Sequence, residues 1–224
     1  MSVLGELQPN KVFQYFEEIC AIPHGSRNLQ QISDYLVDFA KVHGLKYRQD
    51  EDLNVIIWKD GSKGYEDSDP VILQGHMDMV AVKESDCDKD MEKEGLDLEI
   101  DGDYILAKGT SLGGDDGIAV AYTLAVLDDE EMAHPPIEAI FTVNEEIGML
   151  GAATIDVSDL KGRLFMNMVI VRRMYIRLML GLILRICIVV GMLLVLRLEM
   201  RLVLLIRLYL VVSLGLIVMR VVRV

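Results

Sequence analysis

Residues 71–80 read Val-Ile-Leu-Gln-Gly-His-Met-Asp-Met-Val, an apolar run that passes directly into polar residues. The apolar part, 71–74, is typical of a short buried strand, and a polar turn stretch at 60–69 separates it from an earlier strand at 53–58. The apolar run at 137–143 has the same character and also ends in polar residues. These runs predict the buried strands of one sheet.

Four other segments have the composition or apolar spacing of helices. Two precede the strands, at 9–23 and 28–44, and in the second of them Asn28 and Gln31 resemble a capping box. Residues 118–127 and 148–153 follow as helices between later strands. Because helices alternate with strands, we expect an α/β fold, a three-layer sandwich with a largely parallel central sheet.

The charge is distributed very unevenly along the 224 residues. Residues 169–224 hold nine arginines and one acid, a net charge of +8, whereas residues 1–168 hold 34 acids and 13 bases, a net charge of −21. The first part repels phosphate backbones and anionic lipids, so we expect no nucleic-acid partner and regard cations as its natural ligands. We therefore divide the chain into a domain at 1–168 and a tail at 169–224.

The three cysteines indicate a reducing compartment. Cys20, Cys87 and Cys187 form no Cys-x-x-Cys pair, and no charged-then-apolar leader stands at the N-terminus. We therefore expect a cytoplasmic protein without a structural zinc site built on thiolates.

Polar clusters follow two predicted strands and precede the helix at 118–127. They are His76 with Asp78, Asp115 within a glycine-rich turn, and the pair Glu145 and Glu146. Each cluster alone is commonplace, as a hydrogen-bonded loop pair, a helix cap or a solvated surface. Ligands of open α/β sheets bind where strands end, however, and an imidazole and carboxylates gathered there need a counter-charge. A divalent cation supplies it, and zinc, manganese or cobalt suits this ligand set.

The spacing within the His76–Asp78 and Glu145–Glu146 clusters indicates that the residues of each cluster have different roles. In His-x-Asp the two side chains point the same way on an extended strand, so Asp78 can hold the second ring nitrogen of His76. One of the adjacent glutamates, Glu145 and Glu146, can bind metal while the other takes a proton from water. These features predict metal-assisted hydrolysis.

Four segments carry a resemblance to a known family. They are Ile-Pro-His-Gly-Ser at 22–26, Gln-Gly-His-Met-Asp-Met-Val at 74–80, Gly-Thr-Ser-Leu-Gly-Gly-Asp-Asp-Gly at 109–117, and Thr-Val-Asn-Glu-Glu-Ile-Gly at 142–148. In order and spacing they resemble the aminoacyl-histidine dipeptidases, also called Xaa-His or cytosol non-specific dipeptidases. These enzymes are part of the aminoacylase and carnosinase group of two-metal peptidases. The resemblance covers residues 5–168.

The resemblance implies a role for each site residue. His76 binds one metal ion, Asp115 bridges two, Glu146 binds the other, Glu145 is the general base, and Asp78 orients His76. It also implies two divalent ions, with zinc expected first and manganese or cobalt as alternatives, a dipeptide substrate, and a homodimer in the family.

The chain departs from the family pattern in two ways. Gly114 and Asp116 stand where Ala and often Asn are expected, which keeps the turn and Asp115. After 162–167 the family continues with Asp-Ser-Glu-Glu, whose aspartate completes the first metal site, whereas this chain reads Met-Val-Ile-Val-Arg-Arg at 168–173. The family's lid domain and late histidine ligand are also missing. We therefore expect an incomplete zinc-peptidase-like catalytic domain with little or no turnover.

The tail at 169–224 uses only ten residue types. A reading-frame slip near Met168 explains this composition, because codons for 169–177 can be chosen so that a shifted frame reads Asp-Ser-Glu-Glu-Asp-Val-Tyr-Thr. The competing interpretation is a membrane anchor at 178–196, which contains one charge, Arg185. Arginines recur along the whole tail and do not leave an uncharged span bounded by charged ends, so we do not expect the tail to bind a membrane.

Two alternative functions remain open. The chain can be a non-catalytic fragment that binds metal or is tethered to a membrane. A second alternative is a serine hydrolase, because 109–113 fits the Gly-x-Ser-x-Gly pattern with Ser111 as nucleophile. The context is wrong for that motif, since the loop continues past the serine and His134, the only later histidine, has no acid clearly placed beside it.

Overall fold

The computed structural model describes residues 2–167, which lie in one compact unit extending from Met1 to Ile170. The predicted tail at 169–224, with its proposed frame slip and its candidate anchor, lies outside the described residues. In chain order the elements are α1 Asn10–Cys20, α2 Gln30–Val42, β1 Lys46–Gln49, β2 Val55–Lys59, β3 Val71–His76, β4 Leu98–Asp101, β5 Tyr104–Ala107, α3 Gly114–Asp128, β6 Ile137–Thr142, α4 Leu150–Thr154 and β7 Leu164–Asn167.

Five strands form the central sheet, in the order β1-β2-β6-β3-β7. Strand β3 is parallel to both neighbours, β6 and β7, while β2 is antiparallel to β1 and β6. Four of the five strands therefore point the same way, which confirms the largely parallel sheet. Strands β4 and β5 form a separate antiparallel hairpin.

The sheet is covered on both faces, as predicted. The main core lies on the face covered by α1, α2 and α3, and it includes Phe16, Ile32, Leu36, Val55, Ile57, Leu73, Leu124 and Phe141. Full burial of one such side chain contributes roughly 1.5–3 kcal/mol. On the other face Ile56, Ile72 and Ile140 pack against Ile155 and Leu160, which follow α4. The third layer is thus a short helix and its following loop.

The structure differs from the sequence-based expectation at Asn28. This residue does not cap α2, because Leu29 occupies the N-cap position and no side chain caps the helix. The Asn28 side-chain amide instead donates a hydrogen bond to the Glu92 carbonyl oxygen at 2.9 Å. A tertiary contact that ties a surface loop to the start of α2 has replaced the local cap.

Within residues 2–167, the helices are too short or too polar to cross a bilayer. This finding does not bear on the anchor interpretation of 178–196, which concerns residues outside the described part.

Candidate metal centre

Three segments of the chain meet at the carboxyl ends of the central strands. Strands β3 and β6 end side by side, with His76 opposite Thr142 in the parallel register. The loop after β3 carries Asp78, and the segment after β6 carries Glu145 and Glu146. The start of α3 completes the group with Asp115, whose side-chain Oδ1 lies 3.3 Å from His76 Nε2.

The orientation of the His76 ring is set by main chain. His76 is buried, and its Nδ1 lies 2.9 Å from the backbone carbonyl oxygen of Asp78. A carbonyl oxygen only accepts hydrogen bonds, so Nδ1 carries the hydrogen and Nε2 is the nitrogen directed at the carboxylates. Nε2 lies 3.3 Å from Asp115 Oδ1 and 3.9 Å from Glu145 Oε2.

The Asp78 carboxylate forms hydrogen bonds mainly with the segment that follows β6. It accepts hydrogen bonds from the Ser26 hydroxyl at 2.7 Å, the Glu145 N–H at 2.9 Å and the Glu146 N–H at 3.4 Å. Its Oδ1 is 3.6 Å from His76 Nδ1, beyond hydrogen-bond distance. Asp78 therefore contacts His76 through its carbonyl, and with its side chain it fixes the backbone of both glutamates.

The two aspartates at the start of α3 lie in different environments. Asp115 has extended backbone angles, φ −92° and ψ 108°, and its side chain is largely exposed. Asp116 is fully buried, its Oδ2 accepts a hydrogen bond from the His76 N–H at 3.2 Å, and its Oδ1 has no hydrogen-bond partner among the described residues. A Cβ on Gly75 would lie 3.0 Å from Asp116 Oδ2, so this contact requires glycine in β3.

The donor atoms fit a divalent cation. His76, Glu145 and Glu146 each offer one ligand atom, and these atoms lie within 4.8 Å of one another. Donors of one ion bound at roughly 2.0–2.2 Å are at most about 4.4 Å apart, so a small side-chain adjustment brings this set into range. Asp115 adjoins the set through its contact with His76 Nε2.

Electrostatics at the site favour positive charge. Burial lowers the pKa of His76, but the nearby Asp115 and Asp78 carboxylates outweigh burial and raise this pKa to about 10. Burial raises the pKa of Asp116 to about 7, and burial also raises that of Glu146, with the Glu145 charge adding to the rise. The His76 proton is thus a counter-charge for these carboxylates, which a divalent cation can replace.

Ser111, the candidate nucleophile of the serine-hydrolase alternative, joins two loops. Its hydroxyl donates a hydrogen bond to the Val80 carbonyl oxygen at 2.6 Å and accepts one from the Val82 N–H at 3.1 Å. The helix begins at Gly114 and not directly after the serine. His134 uses its ring Nδ1 to contact the Pro135 carbonyl oxygen at 2.8 Å. These contacts favour a structural role for both residues.

Sequence reasoning gave no role to Ser26 or Asp116, although both contact site residues. Ser26 lies in the segment at 22–26, one of the four that resemble the dipeptidase family, and this position was the available indication of a role at the site. Asp116 differs from the Asn that is often expected at its position in the family, and this difference alone did not indicate a role. Neighbouring residues in a turn give no indication of which one will be buried under the strand.

An α/β domain that gathers a histidine and several carboxylates at its strand ends presents a candidate site for a divalent cation. No family model matches this sequence. The chain is, however, 40% identical over 167 residues to the cytosol non-specific dipeptidase of Escherichia coli (strain K12), a match that covers 75% of this chain and 34% of that protein. The predicted resemblance to this family is thereby confirmed.

Solved structures give the same relationship. The crystal structure of aminoacylhistidine dipeptidase from Vibrio alginolyticus matches with 40% identity and a TM-score of 0.71, covering 73% of this chain and 34% of that one. A tripeptidase from Staphylococcus aureus shares the fold at 23% identity and a TM-score of 0.61, covering 74% of this chain and 44% of that one. The chain thus spans about a third of the length of the two dipeptidases.

Proposed function

We propose that this chain carries the metal-binding part of a dipeptidase catalytic centre, whose reaction is hydrolysis of a dipeptide bond. The observation that supports this most directly is the convergence of His76, Glu145 and Glu146 within 4.8 Å, with Asp115 in contact with His76. The dipeptide substrate follows from the names of the two relatives at 40% identity. The Escherichia coli relative is named for the cytosol, and we propose the same location for this chain.

In this proposal His76, Asp115 and Glu146 would hold two divalent ions, with Asp115 shared between them. Imidazole and carboxylate donors suit zinc, with manganese or cobalt as alternatives. The bound ions would supply Lewis-acid polarisation of the scissile carbonyl and would lower the pKa of a nearby water.

Glu145 is proposed as the general base. Its carboxylate is partly exposed and lies 3.9 Å from His76 Nε2, so it stands within the cluster formed with His76 and Glu146 and remains accessible to water and substrate. It would accept a proton from the attacking water and return it to the amine that leaves. Asp78 acts as a positioning residue, since its carboxylate holds the Glu145 N–H and its carbonyl holds the His76 ring.

We propose low or no turnover for the chain as its sequence stands. The segment after residue 167 reads Met-Val-Ile-Val-Arg-Arg where the family resemblance implies Asp-Ser-Glu-Glu. One ion would then lose its aspartate ligand. The frame-slip hypothesis for 169–224 is tested by the gene's nucleotide sequence, which must contain an open alternative frame with a peptidase-like continuation.

Titration of the full chain with zinc or manganese tests the metal site. We expect binding in the wild type, and strong weakening in His76→Ala and Asp115→Ala. Asp38→Asn is the matched control, because Asp38 is an exposed acid on α2 whose salt-bridge partner in the described part of the chain is Lys41. If the wild type binds neither metal, or if all four proteins bind equally, the proposed site is wrong.

A second experiment separates a peptidase from the non-catalytic metal-binding alternative. The metal-loaded chain is incubated with Ala-His, and product is measured in wild type and Glu145→Gln. Cleavage that disappears in the variant, with metal binding retained, supports a peptidase and overturns our expectation of low turnover. Metal binding without cleavage in either protein favours the non-catalytic fragment.

A further inference from the structure

The loop at 143–151 carries Glu145 and Glu146, and a backbone hydrogen bond closes it at its base. The Gly151 N–H donates to the Val143 carbonyl oxygen at 2.9 Å. The next residues of the two arms are joined in the same way, at 3.1 and 2.8 Å. Because the loop is short and internally bonded, the position of its base sets the position of the two glutamates.

The Asn54 side chain lies against this base. Asn54 directly precedes β2 and is only 1% exposed. Its side-chain oxygen accepts a hydrogen bond from the Val143 N–H at 3.1 Å, and its amide nitrogen donates to the Gly151 carbonyl oxygen at 3.4 Å. The register of β2 with β6 ends at Val55 and Phe141, so this side chain holds the backbone just beyond the paired strands.

The approach of Asn54 to the base leaves no space for a side chain at position 151. A Cβ on Gly151 would overlap the Asn54 Oδ1 atom and would lie 2.6 Å from the Val143 carbonyl oxygen. Glycine is required here because the backbone comes so close to its neighbours.

Asp50 determines how the Asn54 amide is oriented. The two carboxylate oxygens of Asp50 accept hydrogen bonds from Asn54, one from its side-chain Nδ2 and one from its backbone N–H, both at 2.8 Å. A carboxylate only accepts hydrogen bonds, so the amide nitrogen faces Asp50 and the amide oxygen faces the Val143 N–H. An amide supplies the donor and the acceptor that this buried position needs, and a group left without its partner there would be costly.

We propose that Asn54 is a positioning residue for the metal centre, a role that rests on the function proposed above. The Asp78 carboxylate holds the N–H groups of Glu145 and Glu146 from one side, and Asn54 holds the base of their loop from the other. The two glutamates are thereby held in place before a metal ion binds. Loss of a group that orients metal ligands costs about 10- to 100-fold in metal affinity.

Zinc titration of the folded full chain by calorimetry tests this role. We expect the zinc Kd to rise by about 10- to 100-fold in Asn54→Ala, which removes both contacts with the base of the loop. Asn54→Asp should also weaken binding, because it sets a second carboxylate against Asp50. Combining Asn54→Asp with Asp50→Asn restores a donor between the two side chains and keeps the acceptor for the Val143 N–H. This double variant should recover most of the affinity that Asn54→Asp loses.

Glu138→Gln is the matched control, because it also disturbs a buried side chain that holds backbone N–H groups. The Glu138 carboxylate accepts hydrogen bonds from the Lys161 and Gly162 N–H groups, near the start of β6 and not at its end. Urea unfolding should show a loss of stability in both Glu138→Gln and Asn54→Ala. The zinc affinity should fall in Asn54→Ala alone, a difference that a purely structural role of Asn54 would not produce.

Hydrogen exchange in wild type tests the role without any variant. The Val143 N–H is bonded to the Asn54 side chain, so its exchange reports on this contact. In the metal-free chain we expect the Val143 amide to exchange as slowly as that of Phe141, inside β6. A Val143 amide that exchanges much faster than Phe141 until zinc is added would show that the metal orders the loop, and would overturn the role of Asn54.

The outcomes distinguish the two proposals. A wild-type chain that binds zinc while Asn54→Ala binds it equally tightly, or while Glu138→Gln loses as much affinity as Asn54→Ala, overturns the role of Asn54 and leaves the metal site intact. A wild-type chain that binds no zinc overturns the proposed function and, with it, the role of Asn54. If the Asn54 variants do not fold, the exchange of the Val143 amide in wild type decides.

Discussion

The His76 imidazole is oriented by the backbone carbonyl of Asp78, which lies 2.9 Å from Nδ1, while the Asp78 carboxylate is 3.6 Å from that nitrogen. The carboxylate is committed elsewhere, to the Ser26 hydroxyl and the N–H groups of Glu145 and Glu146. Asp78 thus links His76 to the two glutamates: its backbone carbonyl contacts His76, and its carboxylate holds the backbone of Glu145 and Glu146.

Asp78→Asn separates these two contributions. The variant keeps the carbonyl that holds His76, but its amide nitrogen faces N–H donors, so we expect stability to fall by about 1–3 kcal/mol. Urea unfolding measures this loss, and Ser26→Ala, which removes one of the three donors, should cost less. Nitrogen NMR of the zinc-loaded protein should still show the hydrogen on His76 Nδ1. A change of tautomer in Asp78→Asn would mean that the carboxylate, not the carbonyl, orients the ring.

Gly75→Ala tests the contact between β3 and the start of α3. The added Cβ would lie 3.0 Å from Asp116 Oδ2 and 3.5 Å from the Ala119 Cβ, so Asp116 must move away from the His76 N–H. We expect a loss of about 1–3 kcal/mol, typical of overpacking, and weaker zinc binding. Both are measurable by urea unfolding and calorimetry.

Gly114→Ala is the matched control for Gly75→Ala. A Cβ there meets its nearest neighbour, Leu112, at 3.9 Å, an ordinary contact, and the residue has no positive φ. We expect stability to be unchanged or to rise by up to about 1 kcal/mol, because alanine reduces the freedom of the unfolded chain. Equal losses in the two alanine variants would contradict the steric account.

The sequence predicted the location of the site better than its internal contacts. Strand ends can be recognised from apolar runs, and so the convergence of His76 with Glu145 and Glu146 was predictable from 71–74 and 137–143. The hydrogen-bond partner of the His76 ring could not be predicted. The alternation of side chains along a strand tells which face each side chain lies on, but it does not tell where the backbone carbonyl groups point. Strand β1 was missed for a related reason, since its residues are exposed or half-buried and lack an apolar pattern.

The pH dependence of stability should contain a contribution from Asp128, at the end of α3. Burial raises the pKa of Asp128, but hydrogen bonds from Lys11 and Tyr15 of α1 outweigh burial and hold it below its usual value. A group whose pKa is lower when folded stabilises the protein above its unfolded pKa, about 3.9, and that stability is lost as the pH falls through the folded value. Asp128→Asn should therefore reduce stability at pH 7 and flatten its decline below pH 5.

Urea unfolding across pH 3–7 compares Asp128→Asn with wild type. Asp34→Asn is a suitable control, since Asp34 is an acid on α2 whose side chain accepts hydrogen bonds from Gln30 and Gln49 and forms no salt bridge within residues 2–167. A parallel pair of curves for wild type and Asp128→Asn would show that the contact between α1 and α3 does not depend on this charge.

Replacing Glu138, which lies far from the metal centre, should lower the stability of the protein. This β6 carboxylate is buried, and it accepts hydrogen bonds from the Lys161 N–H at 2.9 and 3.1 Å and from the Gly162 N–H at 2.9 Å, just before β7. Glutamine offers one oxygen in place of two, and its amide would meet a backbone N–H without an acceptor. Glu138→Gln should therefore lower the free energy of unfolding by about 1–3 kcal/mol. Glu99→Gln, at a half-buried position of the β4-β5 hairpin, should change it by less than about 0.5 kcal/mol. A Glu138→Gln protein as stable as this control would show that the turn before β7 does not depend on the buried carboxylate.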